Sequence, residues 1–380
     1  MPQWKDLARE TKVTVIKSLA VHNDGEEQPY PSSSLFSTLA PITLVNRELS
    51  EVAGRHLWEK VTVDQSARKG FSVRSRKAKD EKFKKDLPFT EVVLPTRGAH
   101  VRLVDCRSEK ESSTDHLDRC VEVINGCSGV TELHFESENN ALAVAKRLNP
   151  STLKTITALH LVDAGSDSAE LFPLFPSLKT IVVATDELGD SSESLVPVIQ
   201  AIPTLESFKS RGYDDFNSPT LADEWKGPIR SLYLDSHMDL ATIISLATRL
   251  SPTLQEFSVA RLPNDKHRSI PPDLDLPHLH TLLLTIDWQR LTLLGLFVES
   301  PLRTLTIAFF GDGKDKENFV EALLPIVGYL RETLRTLRLI FVDSDPEDEM
   351  LEGLHARCEE LGVVLSVGDF DSMDGDDRPW

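Results

Sequence analysis

A six-residue pattern of hydrophobic positions recurs along most of this chain. It has the form apolar-x-x-apolar-x-apolar, and the copies begin at Val130, Ile156, Leu178, Leu205, Ile229, Leu254, Leu279, Leu302 and Leu334. The copy at Leu205 is weaker, since Ser210 occupies its last apolar position. Successive copies start between 22 and 32 residues apart. Apolar residues two positions apart predict a short strand with one buried face, because side chains alternate across a strand. Self-similarity at a nearly fixed period indicates a solenoid of stacked units.

The segments between the copies predict outer helices. Apolar residues at helical spacing occur in two of them, at Ala241, Ile244, Leu246, Ala247 and Leu250, and at Phe319, Leu323, Leu324, Val327 and Leu330. One strand and one helix cannot bury their apolar sides alone, whereas stacked neighbours can, and their strands then form a parallel sheet.

The repeat length is similar to that of leucine-rich repeats. We therefore predict an α/β fold in which residues 100–369 form an irregular leucine-rich-repeat solenoid, with parallel strands, outer helices and a C-terminal cap. Irregularity is expected because the asparagine or cysteine that this family carries after the last apolar position is missing from the copies. The alternative is an α/β domain with coincidental spacing. Residues 370–380 are acidic and predict a disordered tail.

Residues 1–63 do not follow the repeat and predict a compact helical domain. Val13, Ile16 and Leu19 share one helical face, and a second apolar face follows the proline-containing loop after it. The segment Lys60–Val63 then predicts a strand. Residues 64–99 predict a basic linker and first strands, and their basic run at 68–85 fits a solvated linker, a nuclear-import signal or a docking patch for an acidic partner.

This N-terminal domain resembles a divergent F-box of the kind that precedes leucine-rich repeats in fungal proteins. Leu7 and Glu10 stand at its opening, Ile16 and Leu19 in its first helix, Leu44-Val45-Asn46-Arg47 in its middle and Leu57-Trp58 at its end. The family's opening proline is replaced by alanine and its central tryptophan by leucine.

The resemblance implies a substrate-recognition adaptor of an SCF-type (cullin–RING) ubiquitin ligase. Its helices would bind a Skp-type adaptor protein, and its repeats would bind a protein substrate. The adaptor-binding residues implied in this way are Leu7, Ile16, Leu19, Leu44, Val45, Leu57 and Trp58. The alternative is a non-catalytic leucine-rich-repeat scaffold without ligase association, in which the helices only cap the first repeat.

The second face of the strands is predicted to be exposed and to bind the substrate. Its most informative side chains are His134, His160, Lys209, Tyr233, Asp235, Glu256 and Arg338. The set is mixed in charge and contains few aromatic anchors, so it names no particular ligand.

Composition restricts the partners further. The 380-residue chain has a net charge of −18, which disfavours nucleic acid as a partner. It has no run of 18 apolar residues and no signal-peptide pattern, so we expect no membrane association and a cytoplasmic or nuclear location. Its four cysteines lack disulfide or zinc spacing and are expected to be reduced.

Catalytic and cofactor motifs are missing from the sequence. No phosphate-binding loop, dinucleotide fingerprint or nucleophile elbow is present. The residues Asp235, His237 and Asp239 have metal-ligand types, but Asp239 more simply caps the helix that follows. We therefore predict a protein that is not an enzyme, with no catalytic residues, no cofactor and no metal.

Overall fold

A computed structural model describes residues 60–64, 94–108, 112–162, 164, 168–185, 192–212, 221, 223–237, 240–261, 274–286, 288–310, 313–341 and 348–369. They fall into two compact units. The first unit comprises residues up to Val162 with Pro173–Ser177, and the second comprises Asp163–Phe172 with the chain from Leu178 onward. Every described strand pair is parallel, which confirms the predicted α/β class with parallel strands. Most of the F-box-like segment lies outside the described residues.

The first unit contains four parallel strands that pair in sequence order. They are β1 (Lys60–Asp64), β2 (Leu103–Arg107), β3 (Glu132–Phe135) and β4 (Ala158–Leu161). Its described α-helices are α1 (Leu94–Arg97), α2 (Thr114–Gly126), α3 (Glu138–Ala145) and α4 (Pro150–Thr155). The strand predicted at the end of the N-terminal domain is therefore β1, and it belongs to this sheet.

The second unit continues the same scheme with eight parallel strands. They are β5 (Thr180–Thr185), β6 (Ser207–Gly212), β7 (Ser231–His237), β8 (Glu256–Arg261), β9 (Thr281–Ile286), β10 (Thr304–Phe309), β11 (Thr336–Phe341) and β12 (Val364–Asp369). Its described α-helices are α5 (Ser168–Leu171), α6 (Ser192–Gln200), α7 (Leu240–Leu250), α8 (Gly313–Tyr329) and α9 (Asp348–Leu361). A 3-10 segment, Trp288–Phe297, connects β9 to β10.

The copies of the hydrophobic pattern align position by position in space. The fourth residue of successive copies forms one cross-strand row in the second unit, made of Leu232, Phe257, Leu282, Leu305 and Leu337. Each of these side chains is at most 1% exposed. The buried face of the sheet therefore follows the sequence repeat, and the core lies on that face.

A repeated backbone hydrogen bond fixes this register. The carbonyl of Arg230 accepts the N–H groups of Gln255 and Glu256 at 2.7 and 2.8 Å, and the carbonyl of Gln255 accepts those of His280 and Thr281 at 3.0 and 3.1 Å. The same double acceptance recurs in the first unit. Backbone groups at the start of these strands are satisfied in this way without an asparagine ladder.

Threonine hydroxyls add a second link between neighbouring repeats. Thr204 and Thr253 each precede a copy of the pattern, and each donates to the first residue of the previous copy. The acceptors are the carbonyls of Leu178, at 2.6 Å, and Ile229, at 2.7 Å.

The buried face of α7 differs from the predicted one in its first turn. The buried residues are Leu240, Ile243, Leu246, Ala247 and Leu250. Ala241 is exposed and Ile244 is only half-buried, so the prediction was one residue late at the start of the helix. Leu246, Ala247 and Leu250 were predicted correctly. They follow Ile243 by three, four and seven residues and therefore share its face of the helix. Within the described segments, no helix is long and apolar enough to cross a membrane.

Candidate functional site

The second face of the strands carries polar side chains, as alternation predicts. In the first unit the register forms one row from Thr62 through Asp105 and His134 to His160. The first residue of β3, Glu132, lies two positions before His134 and therefore on the same face. Residues from separate repeats are thus brought side by side by strand pairing alone.

Glu132, His134 and His160 form a compact group, which we call the His–His–Glu cluster. Glu132 Oε1 lies 2.7 Å from His134 Nε2 and 3.3 Å from His160 Nε2. The two imidazole rings stack with centroids 3.9 Å apart and planes inclined by 13°. Both rings therefore direct a nitrogen toward the same carboxylate oxygen. All three side chains are between one-quarter and one-third exposed, so solvent reaches the cluster.

Opposite charges flank this cluster on β1 and β2. Asp105 is buried, and its Oδ2 lies 3.2 Å from Arg107 Nε and 3.8 Å from Lys60 Nζ. Just after β3, the Oε2 of Glu136 accepts the backbone N–H of Ser108 at 3.0 Å. The buried carboxylate of Asp105 therefore faces two cations, Lys60 and Arg107.

The electrostatics favour an ionised Glu132. Its hydrogen bond with His134 is the main cause that lowers the pKa of this carboxyl, although partial burial acts in the opposite direction. His160 and Lys60 lower the pKa of Glu132 further through their charge. Burial lowers the pKa of Arg107, while the nearby carboxylate of Glu136 opposes that shift. Glu132 is therefore an anionic acceptor between two imidazoles.

The second unit also presents polar side chains, mainly on the first half of each strand. Strand pairing places Lys209 beside Tyr233 and Tyr233 beside Ser258. Lys209, Tyr233 and Arg338 are half-buried, and Glu256 at the start of β8 is exposed. These four predicted residues therefore remain accessible for binding.

The prediction that Asp235 lies on the exposed face is wrong. Its side chain is 3% exposed, although it was predicted to contact a substrate. The pairing of β7 with β8 shifts register between Leu234 and His237, so simple alternation fails at this point. In the second halves of β9, β10 and β11, side chains on both faces of the strand are buried. Ile340 in β11, for example, is fully buried. The accessible face is consequently narrower than the sequence predicts.

The predicted adaptor-binding residues are not among the described residues. They are Leu7, Ile16, Leu19, Leu44, Val45, Leu57 and Trp58. His237 lies in β7, whereas Asp239 is outside the described residues.

A second group of chemically reactive side chains lies inside the first unit. His116 Nε2 is 3.5 Å from the sulfur of Cys120, and Cys106 contacts the same thiol. A thiol beside an imidazole is the arrangement of a cysteine nucleophile. All three side chains are at most 3% exposed, however, so a substrate in solution cannot reach them.

Alternation along the strands predicts His134 and His160 on the exposed face, but it does not group them with each other or with Glu132. The repeat pattern nevertheless contains the information needed to place the two histidines side by side. The copies VTELHF and ITALHL both carry histidine at their fifth position, and in-register stacking places equal positions side by side. A search for metal-ligand spacing along the chain misses this pair, because 26 residues separate the two histidines in sequence.

Comparison with known proteins adds no relative. Neither a scan against protein-family models nor a search of curated proteins gives a match.

Proposed function

We propose that this chain is a substrate-recognition adaptor of an SCF-type ubiquitin ligase, and that it binds rather than catalyses. In this proposal the F-box-like segment binds a Skp-type adaptor protein, and the polar face of the repeats binds a protein substrate. The observation that carries the substrate half is the pair Lys209 and Tyr233, which strand pairing places side by side and which are both half-buried. The tyrosine suits a protein partner, because tyrosine side chains are frequent binding anchors in protein interfaces.

The adaptor half of the proposal rests on the sequence resemblance. Leu57-Trp58 and Leu44-Val45 match the F-box pattern most closely. In this proposal their apolar side chains would supply the hydrophobic patch that a partner interface requires. The net charge of −18 supports a protein partner over nucleic acid, since the chain as a whole repels phosphate.

A co-purification experiment with two matched variants tests both halves. The full chain is co-expressed with a Skp-type adaptor as wild type, as Leu57→Lys with Trp58→Ala, and as Lys209→Glu with Tyr233→Ala. We expect the first variant to lose the adaptor while keeping any protein bound to the repeat face. The second variant is expected to retain the adaptor and to lose that bound protein.

Ubiquitin transfer supplies the decisive readout. In a reconstituted ligase reaction, a protein captured by the wild type should be ubiquitinated, and either double variant should prevent this. Circular dichroism must show that both variants keep the wild-type secondary structure. Equal capture of the adaptor by the Leu57/Trp58 variant would contradict the proposal.

The alternative function is a repeat scaffold without ligase association. The accessible polar residues of the repeats favour it, because binding through them requires no adaptor. It would be supported if the folded wild type captured no Skp-type protein while the Lys209/Tyr233 variant still lost a protein partner.

A further inference from the structure

We propose that the His–His–Glu cluster binds one divalent transition-metal ion, with Zn²⁺ as the best fit. The proposed ligands are Glu132 and His134 on β3 and His160 on β4. Each offers one ligand atom, and these atoms all lie within 4.8 Å of one another. Metal binding here is independent of any ligase role.

The ligand types select the class of metal. Two imidazoles and one carboxylate form a mixed nitrogen and oxygen set, which suits Zn²⁺ and its first-row neighbours. Mg²⁺ and Ca²⁺ prefer sites made only of oxygen. Since three ligands come from the protein, a water molecule or a group from a bound partner would complete a tetrahedral site.

The distances are close to those that a bound ion requires. Metal–ligand bonds of about 2.0–2.1 Å in a tetrahedron place neighbouring ligand atoms about 3.3 Å apart. Of the two distances from Glu132 Oε1 to the histidine nitrogens, the one to His160, 3.3 Å, matches that value, and the one to His134, 2.7 Å, is shorter by about 0.6 Å. The ion must also lie near the plane of each ring, and the stacked rings are nearly parallel. One imidazole must therefore rotate about its terminal side-chain torsion, a soft motion that needs no backbone change.

The backbone and the surrounding charge support a site at this place. Strand pairing holds His134 directly beside His160, so the spacing of two ligands is set by the sheet. The charged neighbours in the first unit are Lys60, Asp105, Arg107 and Glu136. Together with Glu132, these neighbours amount to three carboxylates and two cations. When both imidazoles are neutral, the resulting net negative charge favours the binding of a divalent cation.

Metal titration of the purified full chain tests the proposal. Metal is first removed with a chelator. Co²⁺ is then added while the visible absorption is followed, and Zn²⁺ binding is measured by isothermal titration calorimetry. We expect one equivalent of Zn²⁺ to bind and to displace Co²⁺. The double variant His134→Asn with His160→Asn should weaken binding by at least about 100-fold, more than the 10- to 100-fold typical for outer-sphere changes. The matched control is His355→Asn at an exposed position of α9, which should bind like the wild type.

Two further measurements keep the result interpretable. Zn²⁺ should raise the melting temperature of the wild type and of the His355 control, but not that of the double variant. Zn²⁺ should also slow the modification of His134 and His160 by diethyl pyrocarbonate, without affecting His355. This footprint needs no variant, so it decides the question even if the double variant does not fold.

Two results would overturn the proposal. Absence of stoichiometric Zn²⁺ binding would leave the cluster as a hydrogen-bonded histidine pair with an acidic partner. Binding that the double variant retains, or that leaves both histidines unprotected, would place the ion at other residues.

Discussion

Replacement of Gly227 by alanine tests how closely neighbouring repeats of the second unit approach each other. A Cβ atom at this position would lie 2.4 Å from the carbonyl oxygen of Leu205 and 2.8 Å from that of Ile202. Ordinary contacts begin at 3.4 Å, so the first of these falls short by about 1 Å. Both obstacles are backbone atoms in the turn that leads into β6, and that turn must move.

The expected cost follows from two opposing effects. Overpacking a closely packed region costs about 1–3 kcal/mol, and the upper half applies where rigid backbone must shift. Loss of glycine from the unfolded chain returns about 0.4–1 kcal/mol. We therefore expect Gly227→Ala to lower the free energy of unfolding by about 1–2.6 kcal/mol.

Gly353 provides the matched control. It lies in α9, it is exposed, and a Cβ atom there would meet nothing within 4 Å. Gly353→Ala is expected to raise the free energy of unfolding by about 0.5–1 kcal/mol, because alanine favours a helix.

Urea unfolding followed by far-ultraviolet circular dichroism compares the two variants. A repeat protein need not unfold in one step, so amide hydrogen exchange should follow the N–H of Ile229, which donates to the Gly227 carbonyl at 3.0 Å. Faster exchange there in Gly227→Ala, and unchanged exchange in Gly353→Ala, is the expected result. Wild-type stability and exchange in Gly227→Ala would refute the close approach.

Three further predictions follow from individual contacts. Glu132→Gln, measured with chelator present, should lower stability at pH 7 by under about 1 kcal/mol, because partial exposure screens the lost interaction. The pKa of Glu132 is lowered in the folded protein. The stabilisation is therefore fully present above the usual glutamate pKa of about 4.3, and it disappears as the pH falls through the lower pKa of the folded state. Thr253→Val should cost about 1 kcal/mol in urea unfolding, since it removes the hydrogen bond to the Ile229 carbonyl. Labelling of the Cys127 and Cys358 thiols in the native protein should be slow and should follow unfolding, because both thiols are buried. Burial raises the pKa of Cys127 to about 12 and also raises the pKa of Cys358, so little reactive thiolate is present.

Each of these predictions has a control and a contrary outcome. Glu352→Gln, at an exposed position of α9, tests for general charge effects, and an equal loss of stability in both variants would contradict the Glu132 assignment. Thr248→Val removes a hydroxyl that bonds only within its own helix, so it should be nearly neutral, whereas a cost equal to that of Thr253→Val would count against the link between repeats. Rapid labelling of Cys127 in the folded protein would show that its surroundings open without unfolding.

The histidine pair shows how far sequence periodicity reaches. His134 and His160 occupy the same position in successive copies, and stacking in register is sufficient to predict that they are neighbours. Their distance from the Glu132 carboxylate and their nearly parallel stacking depend on side-chain torsions, which no spacing along the chain specifies.

Asp235 and Ile340 show where periodicity fails. Alternation assigned both to an accessible face, yet both are buried. A register shift interrupts β7 near Asp235, and Ile340 lies in the half of β11 that is covered on both sides. Such coverage depends on chain that lies elsewhere in sequence, so a local pattern cannot predict it.

The repeated apolar positions are enough to predict the class of architecture, the order of the strands and one core-facing side of each strand. They suffice because burial of apolar surface is the dominant favourable term in folding, and every second residue of a strand faces the same side. Which polar residues of the other side remain accessible, and which come within bonding distance, is fixed only in the folded protein. Those properties depend on distances of a few ångströms between separate repeats, set by register, bulges and side-chain torsions together.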